Sequence, residues 1–205
     1  MFLKTLIVGD LAVNCYIIAD ENKEAAVIDP GDNSGDILQI IKENNLHLRY
    51  IINTHTHFDH IGAIAEIKKA TGADFLIHEG EMHVLKTLPS QRFIFGVDID
   101  SPPPPDRFLN DNDKIQLGGI ILKILYTPGH SPGGICIHAD GMVFTGDTLF
   151  AGSIGRTDLP GGDYNALITA IKEKLLPLGD NTIVLPGHGP KSTIKDERKY
   201  NPFLA

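Results

Sequence analysis

Cysteine is scarce in this chain of 205 residues: Cys15 and Cys136 are the only two. Two are too few for a disulfide framework, and a pair of buried thiols is the reading they support. Long apolar runs are missing as well. No stretch approaches the roughly 18 uninterrupted apolar residues that would cross a bilayer, and Asp10 interrupts the first run before a signal-peptide core can form. Cations are in deficit, with 18 Lys and Arg against 26 Asp and Glu and a formal net charge of −8. Binding through broad phosphate neutralisation needs a basic face, so the charge argues against a nucleic-acid partner held that way, and none is expected. Hydrophobic residues make up 42% of the chain, enough for a sizeable core, and the length suits one domain. The expectation is a single cytoplasmic domain over residues 1–205 with a small-molecule partner and no membrane contact; the composition says nothing of oligomeric state.

The hydrophobic pattern predicts alternating strands and helices. Short apolar or β-branched runs at 2–8, 13–18 and 25–28 read as strands, the third ended by Asp29-Pro30-Gly31. Apolar residues at helical spacing predict a helix over about 35–45, then a buried strand at 49–54, a helix at 61–70 stopped by Gly72, and a strand at 73–78. Strand–helix–strand order implies parallel pairing with the helices outside. Residues 87–113, with Pro89 and the run at 102–105, read as a long irregular loop, either a lid or binding loop or a mobile surface excursion. Strands follow at 114–117, 120–125, 134–138 and 142–145, with Gly118-Gly119 and Asp140-Gly141 as hairpin turns. A helical stripe from Tyr164 to Leu175, capped by Asp163, precedes a last strand at 182–185. Two packed sheets flanked by helices, an αββα sandwich of the α/β class, bury all of these in one domain.

What the chain has in excess is histidine, nine in all and unevenly placed. Thr54-His55-Thr56-His57-Phe58-Asp59-His60 lies at a strand end just before a helix. In extended backbone, residues two apart point the same way, so His55 and His57 can reach one metal, and the turn into the helix redirects Asp59 and His60 to a second position. Three other segments place a ligand in a turn after a strand: His130 in Pro128-Gly129-His130-Ser131-Pro132-Gly133, Asp147 in Gly146-Asp147-Thr148, and His188 in Pro186-Gly187-His188-Gly189. Together these are seven nitrogen or oxygen ligands, enough for two metals and a shared water. Imidazole and carboxylate accept zinc, iron or manganese alike. His47, His78, His83 and His138 fall outside the pattern and read as structural or solvated, His78 and His83 flanking a short helix. Arg156 and Asp158 read as a pair that fixes its loop.

The series His55-x-His57-x-Asp59-His60, then His130, Asp147 and His188, resembles the metallo-β-lactamase superfamily. The likeness runs from Ile28-Asp29-Pro30-Gly31 to Gly187-His188-Gly189. Within the superfamily the chain looks most like the glyoxalase II-type hydroxyacylglutathione hydrolases in a short form, and the stretch from Gly152 through Gly155-Arg156-Thr157-Asp158 to Asp163 supports that subgroup. The resemblance implies two divalent ions per chain, zinc foremost with iron or manganese as alternatives. It assigns His55, His57 and His130 to one, Asp59, His60 and His188 to the other, and Asp147 to both. Asp29 is then a supporting group, a role that an ordinary turn-forming aspartate matches nearly as well. True β-lactamases of the superfamily generally have Cys, or no bridging carboxylate, at the Asp147 position, which disfavours antibiotic hydrolysis. Full-length glyoxalase II also carries a C-terminal helical domain that helps to bind glutathione, whereas here a short tail with Lys191, Lys195, Arg198 and Lys199 follows His188.

The activity implied is hydrolysis of a thioester, such as S-D-lactoylglutathione, by a hydroxide shared between the two metals, with Asp59 and Asp147 as its catalytic carboxylates. No Ser-His-Asp or Cys-His arrangement is needed, and neither cysteine lies in a motif resembling one. Two alternatives share the same residues. A persulfide dioxygenase would hold one iron on His57, His130 and Asp147; a phosphodiesterase or nuclease would use both metals, against the negative charge of this chain.

Overall fold

Successive side chains of a strand face opposite ways, so a strand buried along its whole length must lie between two apolar layers. Val13–Ala19 (β2) is such a strand: Cys15, Ile17 and Ala19 pack into one core, Tyr16 and Ile18 into another. The computed structural model describes residues 1–89 and 101–204, and in it strands form two six-stranded sheets. The first contains β1 (Phe2–Val8), β2, β3 (Glu24–Ile28), β4 (His47–Ile52), β5 (Asp74–His78) and β6 (Arg107–Leu109), in chain order. β1 to β3 pair antiparallel, and from β3 onward every pair is parallel. Parallel neighbours need a crossover. Helices α1 (Ser34–Glu43) and α2 (Ile64–Thr71) supply two, and their buried Ile37, Ile41, Ile64 and Ile67 share a core with Val27, Ile51 and Phe75.

The second sheet follows the order β14 (Ser192–Thr193), β13 (Ile183–Pro186), β10 (Met142–Gly146), β9 (Ile135–Ala139), β8 (Ile120–Tyr126), β7 (Lys114–Leu117). Only β10 and β13 pair parallel. Tyr16, Ile28, Ile52 and Leu76 of the first sheet meet Ile124, Ile137, Phe144 and Leu185 of the second in the central core. On the outer face, Leu125, Cys136, Val143 and Val184 pack on Leu167 of α4 (Tyr164–Ala170), on Ile171 and Leu175, and on Ile194 of α5 (Ile194–Tyr200). The layers are helix, sheet, sheet, helix: the αββα sandwich the sequence predicts. Among the described residues, no helix is long and apolar enough to cross a membrane.

The differences from the sequence reading have local causes. The helix expected over 61–70 is a 3₁₀ turn at Phe58–His60 followed by α2, because Pro30 O accepts from Ala63 N and holds the chain back at that point. The stripe from Tyr164 is helical throughout but changes winding: α4 passes into a π turn at Ile171–Leu175 and a 3₁₀ turn at Leu176–Leu178, where Pro177 cannot continue the α-helical ladder. The segment read as irregular over 87–113 contains β6, tied to β5 by Leu76↔Arg107 and by Asp106, whose carboxylate accepts from Phe75 N; the lid or surface excursion read there falls partly on 90–100, outside the described residues. His83 lies within α3 (Glu81–Lys86) rather than beside it. The short pair β11 (Leu149–Phe150) and β12 (Ser153–Ile154), β14 and α5 carry too few residues to leave a period in the sequence.

Candidate metal centre

Four strands end at one edge of the sandwich, and each is followed by a turn that carries ligand side chains: β4 by His55 to His60, β8 by His130, β10 by Asp147, β13 by His188. The turns are held by hydrogen bonds rather than by regular structure. Asn53 Nδ2 donates to His60 O at 2.7 Å, and His60 N donates to His57 O. Asn14 on β2 donates through Nδ2 to Pro186 O and Gly189 O, Tyr16 Oη donates to Pro186 O at 2.6 Å, and Asn14 N donates to Gly187 O. The first sheet thereby fixes the loop of the second that carries His188.

All seven residues singled out in the sequence come together. His55, His57 and His130 bring one ring nitrogen each within 4.8 Å of one another, and Asp59, His60 and His188 form a second such group. His57 Nδ1 is 2.9 Å from His130 Nε2, and His60 Nε2 is 3.4 Å from His188 Nε2. Donors about 2.0–2.1 Å from a common tetrahedral ion stand about 3.3 Å apart, so these separations suit a shared cation. Asp147 lies between the groups. Its Oδ2 is 3.7 Å from His130 Nε2 of the first and 3.7 Å from His188 Nε2 of the second, while its Oδ1 is 3.5 Å from His60 Nε2.

Hydrogen bonds behind the rings decide which nitrogens face the centre. Thr54 Oγ1 donates its single hydrogen to Asp29 Oδ2 at 2.7 Å, so at 3.1 Å from His55 Nδ1 it accepts, leaving His55 Nε2 with a free lone pair. Carbonyl oxygens accept from Nδ1 of His130 (Arg156 O, 2.8 Å) and of His188 (Leu11 O, 3.1 Å). His60 Nδ1 lies 3.2 Å from Asp29 Oδ2, an ion-pair contact rather than an aligned hydrogen bond. Such outer partners are what metal-binding imidazoles need. Two buried atoms aimed at the centre, His55 Nε2 and Asp147 Oδ1, have no hydrogen-bond partner. Buried polar atoms are normally satisfied, and a cation is the partner whose chemistry suits both. The donor set fits divalent ions.

The titration behaviour divides the site. Burial, with the neighbouring histidines adding to it, pushes His55 far below the usual imidazole range and His57 down to about 4, so both are neutral ligands at pH 7. Burial would also push His60 down, but the Asp59 and Asp147 carboxylates outweigh it and carry His60 well up. Asp147 is held below the usual carboxylate range against its own burial by His60, His130 and His188, and Asp59 is lowered the same way by His60 and His188. Both carboxylates are anionic.

A family model described as the metallo-beta-lactamase superfamily matches residues 8–188, from the end of β1 to the last histidine of the centre. The chain belongs to the metallo-beta-lactamase superfamily. It is 43% identical over 195 residues to the hydroxyacylglutathione hydrolase GloC of Haemophilus influenzae, covering 93% of this chain and 92% of that one. Among solved structures, the BLEG-1 B3 metallo-beta-lactamase superposes with a TM-score of 0.93 at 36% identity, over 99% of each chain. TTHA1623, solved in a di-iron-bound form, superposes at 0.89 with 37% identity over all of both chains.

Asp29 proves to be a supporting group rather than a simple turn residue, although its φ of 51° does place it in a turn. Its Oδ1 accepts from Thr54 N and its Oδ2 from Thr54 Oγ1. Arg156 and Asp158 do pair, through Nε–Oδ1 at 2.7 Å and Nη2–Oδ2 at 2.8 Å, while Arg156 offers its backbone carbonyl to His130. His78 stacks on Tyr126 and accepts from Gly80 N, a structural role. Sequence reasoning missed Glu81, buried behind the first group, because an isolated glutamate at a helix start reads as solvated.

Gly187 offers a test of how tightly the centre is packed. A Cβ there would sit 2.3 Å from Asp147 Oδ1 and 2.9 Å from His60 Cε1, so Gly187→Ala forces the Asp147 carboxylate or the His60 ring aside. The expected result is a fall in kcat of tenfold or more, with a stability loss of about 1–3 kcal/mol typical of overpacking. Gly35→Ala in α1, where a Cβ meets nothing within 4 Å, is expected to leave kcat unchanged. Equal kcat for the two variants would show that the carboxylate has room to spare.

Proposed function

We propose that this chain is a dinuclear metal-dependent hydrolase of thioesters. The observation that carries the reading is Asp147, half-buried between two histidine groups with contacts to both and its buried Oδ1 without a hydrogen-bond partner. In this reading His55, His57 and His130 hold one ion, Asp59, His60 and His188 the other, and Asp147 touches both. When bound, a pair of divalent ions lowers the pKa of a shared water towards 7 and polarises the acyl carbonyl.

The chain's own residues do the rest. Asp59, 3.4 Å from His188 Nε2 and 3.7 Å from His60 Nε2, presents its carboxylate at the centre, where it orients the attacking water and accepts its hydrogen bond. A thiolate leaves without a strong general acid, so no further acid is required opposite Asp59. Neither cysteine competes as a nucleophile: burial pushes the Cys136 thiol up to about 11 and Cys15 well above its ordinary value. The likeness to GloC supports a thioester of glutathione as one substrate.

Selectivity for glutathione itself is expected to be weak. Its two carboxylates call for fixed free cations, yet Arg156 is committed to Asp158, and Arg198 to Asp180 and Leu176 O. Each charge-assisted contact forgone is worth about 1.5–3 kcal/mol. The test is kcat/KM for S-D-lactoylglutathione beside an equally reactive thioester of an uncharged thiol, with a β-lactam and a phosphodiester in parallel. Both thioesters should be cleaved within about a hundredfold of each other, at 1.36 kcal/mol per tenfold. A far larger preference for the glutathione ester would reveal a recognition site elsewhere, and turnover of the β-lactam or phosphodiester alone would overturn the thioesterase reading.

A further inference from the structure

Glu81 is fully buried at the first turn of α3, and among the described residues no cation pairs with it. A buried carboxylate is costly unless its lone pairs are filled. Here four donors fill them, two on each oxygen. Oε2 accepts from Thr56 N at 2.7 Å and Thr56 Oγ1 at 2.8 Å; Oε1 accepts from Ser131 Oγ at 2.6 Å and Gly133 N at 2.8 Å. Thr56 sits between His55 and His57, and Ser131 follows His130, so one carboxylate joins the two loops that carry the first histidine group, at points directly beside its ligands, while Asp59 and His60 lie three and four residues beyond Thr56. The backbones are pressed together at the same point: a Cβ on Gly133 would lie 2.5 Å from Glu81 N. Nothing comparable links Glu81 to the loops of Asp147 or His188.

We propose that Glu81 is a positioning residue for one half of the centre, a buried carboxylate clamp that sets the spacing of His55 and His57 against His130 and so governs the affinity of the first ion far more than that of the second. The proposal rests on the two-ion reading above. Glutamine keeps the shape of glutamate but turns one acceptor into a donor, so in Glu81→Gln either the Thr56 pair or the Ser131–Gly133 pair is left facing an N–H. Losing an outer-shell partner of this kind typically lowers metal affinity roughly 10- to 100-fold.

The experiment is a zinc titration of chelator-treated protein by calorimetry, with hydrogen exchange at the Thr56 and Gly133 amides as a readout that does not depend on metal. Wild type and Glu79→Gln, altered at an exposed glutamate two residues away, are expected to take up two ions. Glu81→Gln should retain one tight ion and bind the other at least tenfold more weakly, with faster exchange at both amides. Should Glu81→Gln fail to fold, Thr56→Ala and Ser131→Ala each remove one donor from a different loop, and each should weaken the same ion by a smaller factor. Equal weakening of both ions, or none, would overturn the clamp while leaving the two-ion reading intact. Failure of the wild type to bind two ions would overturn that reading, and the clamp with it.

Discussion

Asp147→Asn is expected to lower kcat for thioester hydrolysis by about two to three orders of magnitude. The carboxylate is half-buried, anionic, and within 3.7 Å of imidazoles from both groups. Asparagine fits the same space but carries no charge, and removing one preorganised electrostatic group from a reacting centre typically costs about 10²–10³ in kcat. Asp59→Glu should lose less, because the longer side chain keeps its charge and Asp59 meets only His60 and His188. The comparison is made on purified variants of matched metal content. Similar, mild losses from both would argue against a shared position for Asp147.

Chelation should abolish turnover and destabilise the fold. The seven residues come from turns after four strands of two sheets, so an ion held among them ties the sheets together. A ligand bound only by the native state, present at a thousand times its Kd, stabilises by about 4 kcal/mol, and in a domain of this size each kcal/mol moves Tm by about 2–4 °C. A fall of about 8–16 °C per ion is therefore expected in thermal melts after chelator dialysis, reversed by adding back the metal. Unchanged turnover in protein shown to lack metal would end the hydrolase reading.

The site was more legible in the sequence than its supports. Histidines two apart at the end of β4, and ligands in glycine-containing turns after β8, β10 and β13, announce themselves because a strand end and a turn are both local signals. The parallel part of the first sheet was readable for the same reason, from strand and helix periods in alternation. Glu81 was not, since its four donors come from residues 25 to 52 positions away. Nor was the hold of Asn14 and Tyr16 on the His188 loop, which spans 170 to 175 positions. Asp29 lies between these cases: Asp-Pro-Gly signals a turn, but its bonds to Thr54 depend on β3 and β4 lying side by side. The strand β6 was hidden by its three-residue length within a polar, proline-rich stretch.

The central claim is that two ions held by these seven side chains perform the hydrolysis. Its most direct test is to restore metal stepwise to chelated protein, measuring bound metal by elemental analysis and thioester hydrolysis in the same samples. The account predicts activity that climbs until two ions are bound per chain and is flat beyond. Full hydrolysis with no metal or with one ion per chain, or a single tightly held iron with oxygen consumption on a persulfide and no thioester cleavage, would contradict it.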